Sequence, residues 1–153
     1  MKYCIENEGC KLIGILLVTH GNFADGLKNA VELIAGRQEA FKTIGLYHGD
    51  GIEVFQNKIL DAVNELDIGK GVLVFVDILG GSPANAVLNL LKNNNFKAIA
   101  GVNMPMVCHA VLKRNSDIDV TELFRQCISS GKEALIGLNE LFENMHKDVE
   151  NDF

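Results

Sequence analysis

The chain has 153 residues, a formal net charge of -6, 48% apolar residues and 22% charged residues. That length and balance fit one globular domain with its own core and exclude a disordered chain. Net acidity without clustered Lys and Arg argues against a nucleic-acid surface. The apolar runs are too short for a bilayer and no secretory signal is seen, so a cytoplasmic location is expected.

Residues 1–11 are polar and read as an N-terminal extension, with the domain proper spanning 12–143. Leu12 to Val18 is a continuous apolar run, the pattern of a strand buried on both faces. Phe23, Leu27, Val31 and Ile34 recur at helical spacing, and Gly36 is a plausible C-cap. Thr43 to Tyr47 is a second strand candidate. Ile52, Phe55, Ile59, Ala62 and Leu66 form one stripe of a second helix. Val72 to Val76 is a third strand, rich in β-branched residues. Ser82-Pro83 opens a third helix, with Ser as N-cap and Val87, Leu88 and Leu91 facing inward. Lys97 to Val102 reads as a fourth strand. Pro105 to Lys113 and Glu122 to about Glu143 read as helices, although Gly131 and Gly137 weaken the second. Residues 144–153 form a polar tail expected to fray.

Strands alternating with helices imply right-handed crossovers and a parallel sheet. The expected fold is α/β, an open, mostly parallel sheet with helices on both faces. In the flavodoxin-like order the first and third strands are neighbours. Ligands bind at the switch between them, beyond the carboxyl ends of the strands.

Two loops leave those strands. The first strand runs into Thr19-His20-Gly21, and the third into Asp77-Ile78-Leu79-Gly80-Gly81-Ser82-Pro83. With that strand order, His20 and Asp77 are expected to meet at the mouth of the crevice. A carboxylate that accepts from one imidazole nitrogen fixes the ring and tautomer and leaves the other nitrogen nucleophilic. Gly80 and Gly81 let the backbone approach a phosphate, Ser82 and Thr19 offer hydroxyls, and the first turn of the helix offers free N–H groups. Each feature alone has a structural use: a histidine satisfying backbone groups, an aspartate capping a turn, a Gly-Gly-Ser-Pro helix start. Their shared position favours chemistry. No Walker A or G-x-G-x-x-G sequence points to a nucleotide, and no cofactor or metal is expected. Cys4, Cys10, Cys108 and Cys127 form no C-x-x-C pair and read as reduced thiols. His48, His109 and His146 read as structural or solvent-facing.

Leu17-Val18-Thr19-His20-Gly21, then Val76-Asp77-Ile78-Leu79-Gly80-Gly81-Ser82-Pro83-Ala84-Asn85-Ala86, then Ala100-Gly101-Val102-Asn103-Met104-Pro105-Met106 resemble the IIA domain of the mannose/fructose class of the bacterial sugar phosphotransferase system. The resemblance covers residues 12 to 140. It implies a phosphohistidine at His20, formed from the phosphocarrier protein HPr and passed to a IIB component. Sugar uptake then follows through a membrane IIC/IID complex. It implies that Asp77 hydrogen-bonds the histidine, that Ser82 lies at the site, and that Asn103, Met104, Pro105 and Met106 shape a docking surface. It also implies a homodimer in which an antiparallel edge strand near the C-terminus is exchanged, making Leu135 to Leu138 a strand rather than helix.

Departures from the family pattern are Ile78, where threonine is frequent, the extension to Lys11, and no IIB segment following, so that IIB would be a separate chain. Competing roles are a regulatory module switched by phosphorylation at His20 and a dihydroxyacetone kinase phosphodonor subunit. A histidine phosphatase would need Arg-His-Gly, and Thr19 stands in the arginine's place. Arg37, Arg114 and Arg125 offer no evident substitute.

Overall fold

The computed structural model describes residues 11–115 and 117–150, with side chains described as far as His146. Among these residues the chain alternates β1 (Gly14–His20), α1 (Phe23–Ala35), β2 (Phe41–Leu46), α2 (Ile52–Leu66), β3 (Val72–Val76), α3 (Ser82–Leu91) and β4 (Lys97–Ala100). Three helices follow: α4 (Met104–Lys113), α5 (Val120–Glu133) and α6 (Leu138–Glu150). The four strands form one sheet in the order β2-β1-β3-β4, and every pairing is parallel. Val18 stands opposite Val76, so β1 and β3 leave the sheet side by side at its carboxyl edge. That adjacency is what brings the two expected loops together.

The continuous apolar pattern of β1 is explained by two cores. Ile15 and Leu17 point to one face, against Leu27 and Val31 of α1, Val107 and Ala110 of α4, and Leu123 of α5. Leu16 and Val18 point to the other, against Phe55 and Ile59 of α2 and Ala84 and Val87 of α3. Successive strand side chains alternate faces, and both faces are covered, so no polar position is needed before Thr19. Fully burying a Val, Leu, Ile or Phe side chain contributes about 1.5–3 kcal/mol, so Ile15, Leu16, Leu17, Val18, Phe55, Ile59 and Val87 anchor the sheet firmly.

Several expectations need correction. β1 begins at Gly14 rather than Leu12, and β4 ends at Ala100 rather than Val102. Leu88 and Ile34 were expected inward but are exposed, because each lies beside the buried stripe of its helix rather than on it. The cap of α3 is Gly81, and Ser82 is already helical, with no side-chain cap bond. The helix expected from Glu122 to about Glu143 breaks after Glu133. Ala134 is a turn, Leu135 to Gly137 lack regular structure, and α6 then runs past Glu143 to Glu150. In this single chain Leu135 to Leu138 form no strand. The extension is described only at Lys11, so residues 1–10, with Cys4 and Cys10, lie outside the described residues, as do 151–153 of the tail.

Candidate active site at the carboxyl edge of the sheet

His20 is the last residue of β1 and still pairs with Leu46 of β2. On its other side β3 has already ended at Val76, and the Asp77 carboxylate takes over as acceptor. Asp77 Oδ2 accepts the His20 backbone N–H at 2.8 Å and meets His20 Nδ1 at 2.7 Å. Oδ1 accepts the Ile78 backbone N–H at 2.8 Å. One carboxylate thus continues the ladder, turns the loop and holds the ring.

The protonation pattern follows from this geometry. A carboxylate surrounded by donors is an acceptor only, so Nδ1 carries the ring proton in the neutral imidazole, and Nε2 keeps its lone pair. Partial burial opposes ionisation of Asp77. The hydrogen bonds from the His20 backbone, the His20 ring and the Ile78 backbone, together with the His20 charge, outweigh it and hold the carboxyl below its usual range. The His20 side chain is 49% exposed and that of Asp77 only 13%. The carboxylate is sheltered and the ring is reachable.

The neighbouring candidates divide. Gly80, Gly81 and Ser82 form the turn into α3, and Ser82 is exposed, with its hydroxyl unengaged by the described residues. Pro83 lacks an N–H, so the free amides of the first turn come from Ser82 and Ala84. Thr19 does not join them. It is wholly buried, its hydroxyl accepts from Ala24 N–H at 2.9 Å and donates to His20 O at 3.2 Å. It therefore braces the turn into α1 and has nothing left for a phosphate. Among the four docking candidates only Pro105 is exposed, and Met104 is half-buried. Asn103 caps α4, with Oδ1 accepting from Met106 N–H at 3.1 Å, and its amide donates to Gly131 O at 2.9 Å. Met106 is core. These two shape the edge from beneath rather than meeting a partner.

Other residues at the site gave weaker signals. Tyr47 Oη donates to Asn22 Oδ1 at 2.6 Å and ties the loop after β2 to the turn after His20; the sequence marks Tyr47 only as the end of the second strand, which stops at Leu46, and gives Asn22 no role. Ile78 and Leu79 are 59% and 74% exposed. Their signal was present: two aliphatic residues in a turn that would ordinarily be polar. Neither Arg114 nor Arg125 serves the site. Arg114 is buried where it bonds Ile13 O and Ala40 O, at the amino end of β1, and Arg125 pairs with Glu122. The His109 ring meets Gln126 Oε1 at 3.0 Å between α4 and α5, and burial pushes the Cys127 thiol up to about 12. Among the described residues no three His, Cys, Asp or Glu side chains gather as a metal site.

A family model described as PTS system fructose IIA component matches residues 14–128, from the first residue of β1 into α5, and so takes in both His20 and Asp77. The chain belongs to this IIA family of the mannose/fructose class. It is 34% identical over 127 residues to the mannose-specific EIIAB component of Escherichia coli K12, covering 82% of this chain but only 39% of that protein. It is 30% identical over 142 residues to the sorbose-specific EIIA component of Lacticaseibacillus casei, covering 91% of this chain and 99% of that one. The crystal structure of the phosphotransferase system component EIIA from Streptococcus agalactiae superposes with a TM-score of 0.78 at 32% identity, covering 84% of this chain and 99% of that chain. No described helix of this IIA protein is long and apolar enough to cross a membrane.

Proposed function

We propose that this IIA protein is a phosphocarrier that accepts a phosphoryl group on His20 Nε2 from HPr and passes it to a IIB component for sugar uptake. The observation that carries the reading is the His20 ring, half exposed and held through Nδ1 by Asp77 at 2.7 Å, while its other nitrogen has no hydrogen-bond partner among the described residues. In the acceptance step the Nε2 lone pair forms a new P–N bond. The P–N bond of the donor phosphohistidine breaks, and its electron pair returns to the donor imidazole. Nδ1 keeps its proton throughout, so His20 becomes cationic as it bonds phosphorus, and Asp77 stabilises that charge. The step into IIB is the reverse, with Nε2 as leaving group. Transfer through a loose transition state needs positioning and electrostatics more than covalent machinery. The Ser82 hydroxyl and the open N-terminus of α3 supply donors for the phosphoryl oxygens.

Exposed Ile78, Leu79 and Pro105 form the apolar surface on which HPr and IIB dock in turn. The protein works as a cytoplasmic homodimer. β4 has a free edge, and a groove of about 340 Å³ beside it is lined by Ile99, Met106, Phe124, Ile128 and Leu135. Leu135, Ile136 and Leu138 are more than half exposed in the single chain, as are Phe142 and Met145 of α6. A second copy that lays Leu135 to Leu138 antiparallel along β4 covers the groove and the segment together, and pairs an otherwise open edge.

The test is incubation with phosphoenolpyruvate, enzyme I and HPr, followed by intact mass measurement. One phosphoryl group should appear, acid-labile and alkali-stable, and vanish in His20→Ala. Equal labelling of that variant places the nucleophile elsewhere and rejects the reading.

A further inference from the structure

The turn between Asp77 and α3 holds two successive glycines, and they are there for different reasons. Gly80 has φ +84, a left-handed conformation that strains any other residue, and open space surrounds the position its Cβ would take. Gly81 has φ -77 and ψ 164, extended backbone that any L-residue adopts. Its backbone does not ask for glycine, but its surroundings do. A Cβ there would lie 2.8 Å from His20 Cε1, 3.1 Å from Ile78 Cγ2 and 3.5 Å from His20 Nε2. The edge of the ring that carries the reactive nitrogen is seated directly on this residue.

We propose that Gly81 is a positioning residue for phosphoryl transfer: its missing side chain is the seat that lets the His20 ring reach Asp77 and point Nε2 at the start of α3. The inference rests on His20 being the phosphoryl acceptor, and it concerns how the ring is aimed. Cε1 is bonded to both ring nitrogens. A methyl group at position 81 pushes Cε1 away, and Nδ1 must move with it, so the 2.7 Å contact to Asp77 cannot survive unchanged. Ile78 Cγ2, 3.1 Å from the same Cβ position, is a second close contact that resists a shift of the methyl. The ring is the mobile partner, since it ends a half-exposed side chain, whereas the Gly81 carbonyl is fixed by Asn85 N–H at 3.0 Å. The same seat explains where the phosphoryl group goes. Gly81 is the N-cap of α3, so Nε2 against Gly81 delivers the phosphorus to the free amides of that helix.

The experiment compares wild type, Gly81→Ala and Gly80→Ala. At mildly alkaline pH, 15N shifts of the His20 ring should show Nδ1 protonated and Nε2 bare in wild type, and a mixture of tautomers in Gly81→Ala. Single-turnover acceptance from phosphorylated HPr should slow about 10–100-fold in Gly81→Ala, with the half-saturating HPr concentration unchanged. Gly80→Ala should instead lower Tm by about 2–4 °C and leave the tautomer alone. A Gly81→Ala protein with wild-type tautomer and wild-type rate overturns the proposal. If Gly81→Ala proves unstable, its Tm shift is measured again in the His20→Ala background, where no ring opposes the methyl. A much smaller shift there supports the seat, and an equal shift overturns it. Failure of wild type to be labelled on His20 would instead strike the phosphocarrier reading, while the tautomer comparison still judges the seat.

Discussion

The two ends of β1 each hold a nitrogen-rich side chain, and they treat it in opposite ways. At the amino end Arg114 is 2% exposed, and its guanidinium donates to Ile13 O, Ala40 O, Glu39 O and Gln38 Oε1. Burial lowers its pKa and the Glu39 charge partly opposes that shift. At the carboxyl end His20 is half exposed, one ring nitrogen is bound and the other is left open. A side chain whose hydrogen-bonding capacity is filled from within the chain serves the fold. One that is filled on one side only is ready for a partner. This difference, rather than residue type, separates structure from chemistry in this molecule.

The comparison breaks most visibly at Arg114. Arg114→Met should remove the side-chain donor to Ile13 O, Glu39 O and Gln38 Oε1, with Ala40 O keeping only Ile15 N–H, and cost about 3 kcal/mol, read as a lower urea midpoint. The folded fraction should still accept a phosphoryl group on His20. Loss of labelling in folded Arg114→Met protein would mean that the two ends are coupled.

Next in size is Asp77→Asn. The amide oxygen can accept from His20, but the amide nitrogen then faces the Ile78 N–H, donor against donor, and the charge that stabilises cationic His20 is gone. Acceptance from HPr should slow about 30–100-fold, worth roughly 2–3 kcal/mol of barrier, with the fold retained by circular dichroism. A rate within threefold of wild type would make the carboxylate a ladder acceptor and nothing more.

Thr19→Val sharpens the assignment of Thr19 to the fold. It should cost about 1–2 kcal/mol of stability through the lost bond to Ala24 N–H, and change the transfer rate by less than about threefold. The reverse outcome would return the hydroxyl to the phosphate.

The smallest effect is on pH dependence. The carboxyl of Asp77 is held below its usual range in the folded protein, so its stabilising contribution is present above the unfolded value of about 3.9 and lost as pH falls through the folded one. Below about pH 5 the Tm gap between wild type and Asp77→Asn should close as the pH falls. A gap that widens within that acid window contradicts the sign.

The layout of strands, the neighbouring first and third strands and the meeting of His20 with Asp77 were all legible in the amino-acid pattern. Runs such as Leu16 to Val18 and Val72 to Val76 have one physical explanation, burial on both faces, and burial on both faces implies crossovers. What escaped depends on single hydrogen bonds or on a few degrees of helix rotation. A hydroxyl beside a nucleophile can face the ligand or the backbone, and only the folded chain shows that Thr19 turns to the Ala24 N–H. Leu88 and Ile34 lie one position off a buried stripe, an offset that periodicity reads poorly. The break between α5 and α6 was hinted at by Gly131 and Gly137, yet the turn falls at Ala134, and Gly131 stays helical against Met106. Ile78 and Leu79 read only as part of the loop after β3, and their exposure at the lip of the site is visible only in the folded chain.

The central claim is that Asp77 commits Nδ1 and so leaves Nε2 to react. The most direct test is phosphorus–nitrogen coupling in the 15N-labelled, phosphorylated protein. A one-bond coupling to His20 Nε2, with Nδ1 still protonated, is the result this account predicts. Coupling to Nδ1 would require the contact with Asp77 to open before transfer and would contradict it.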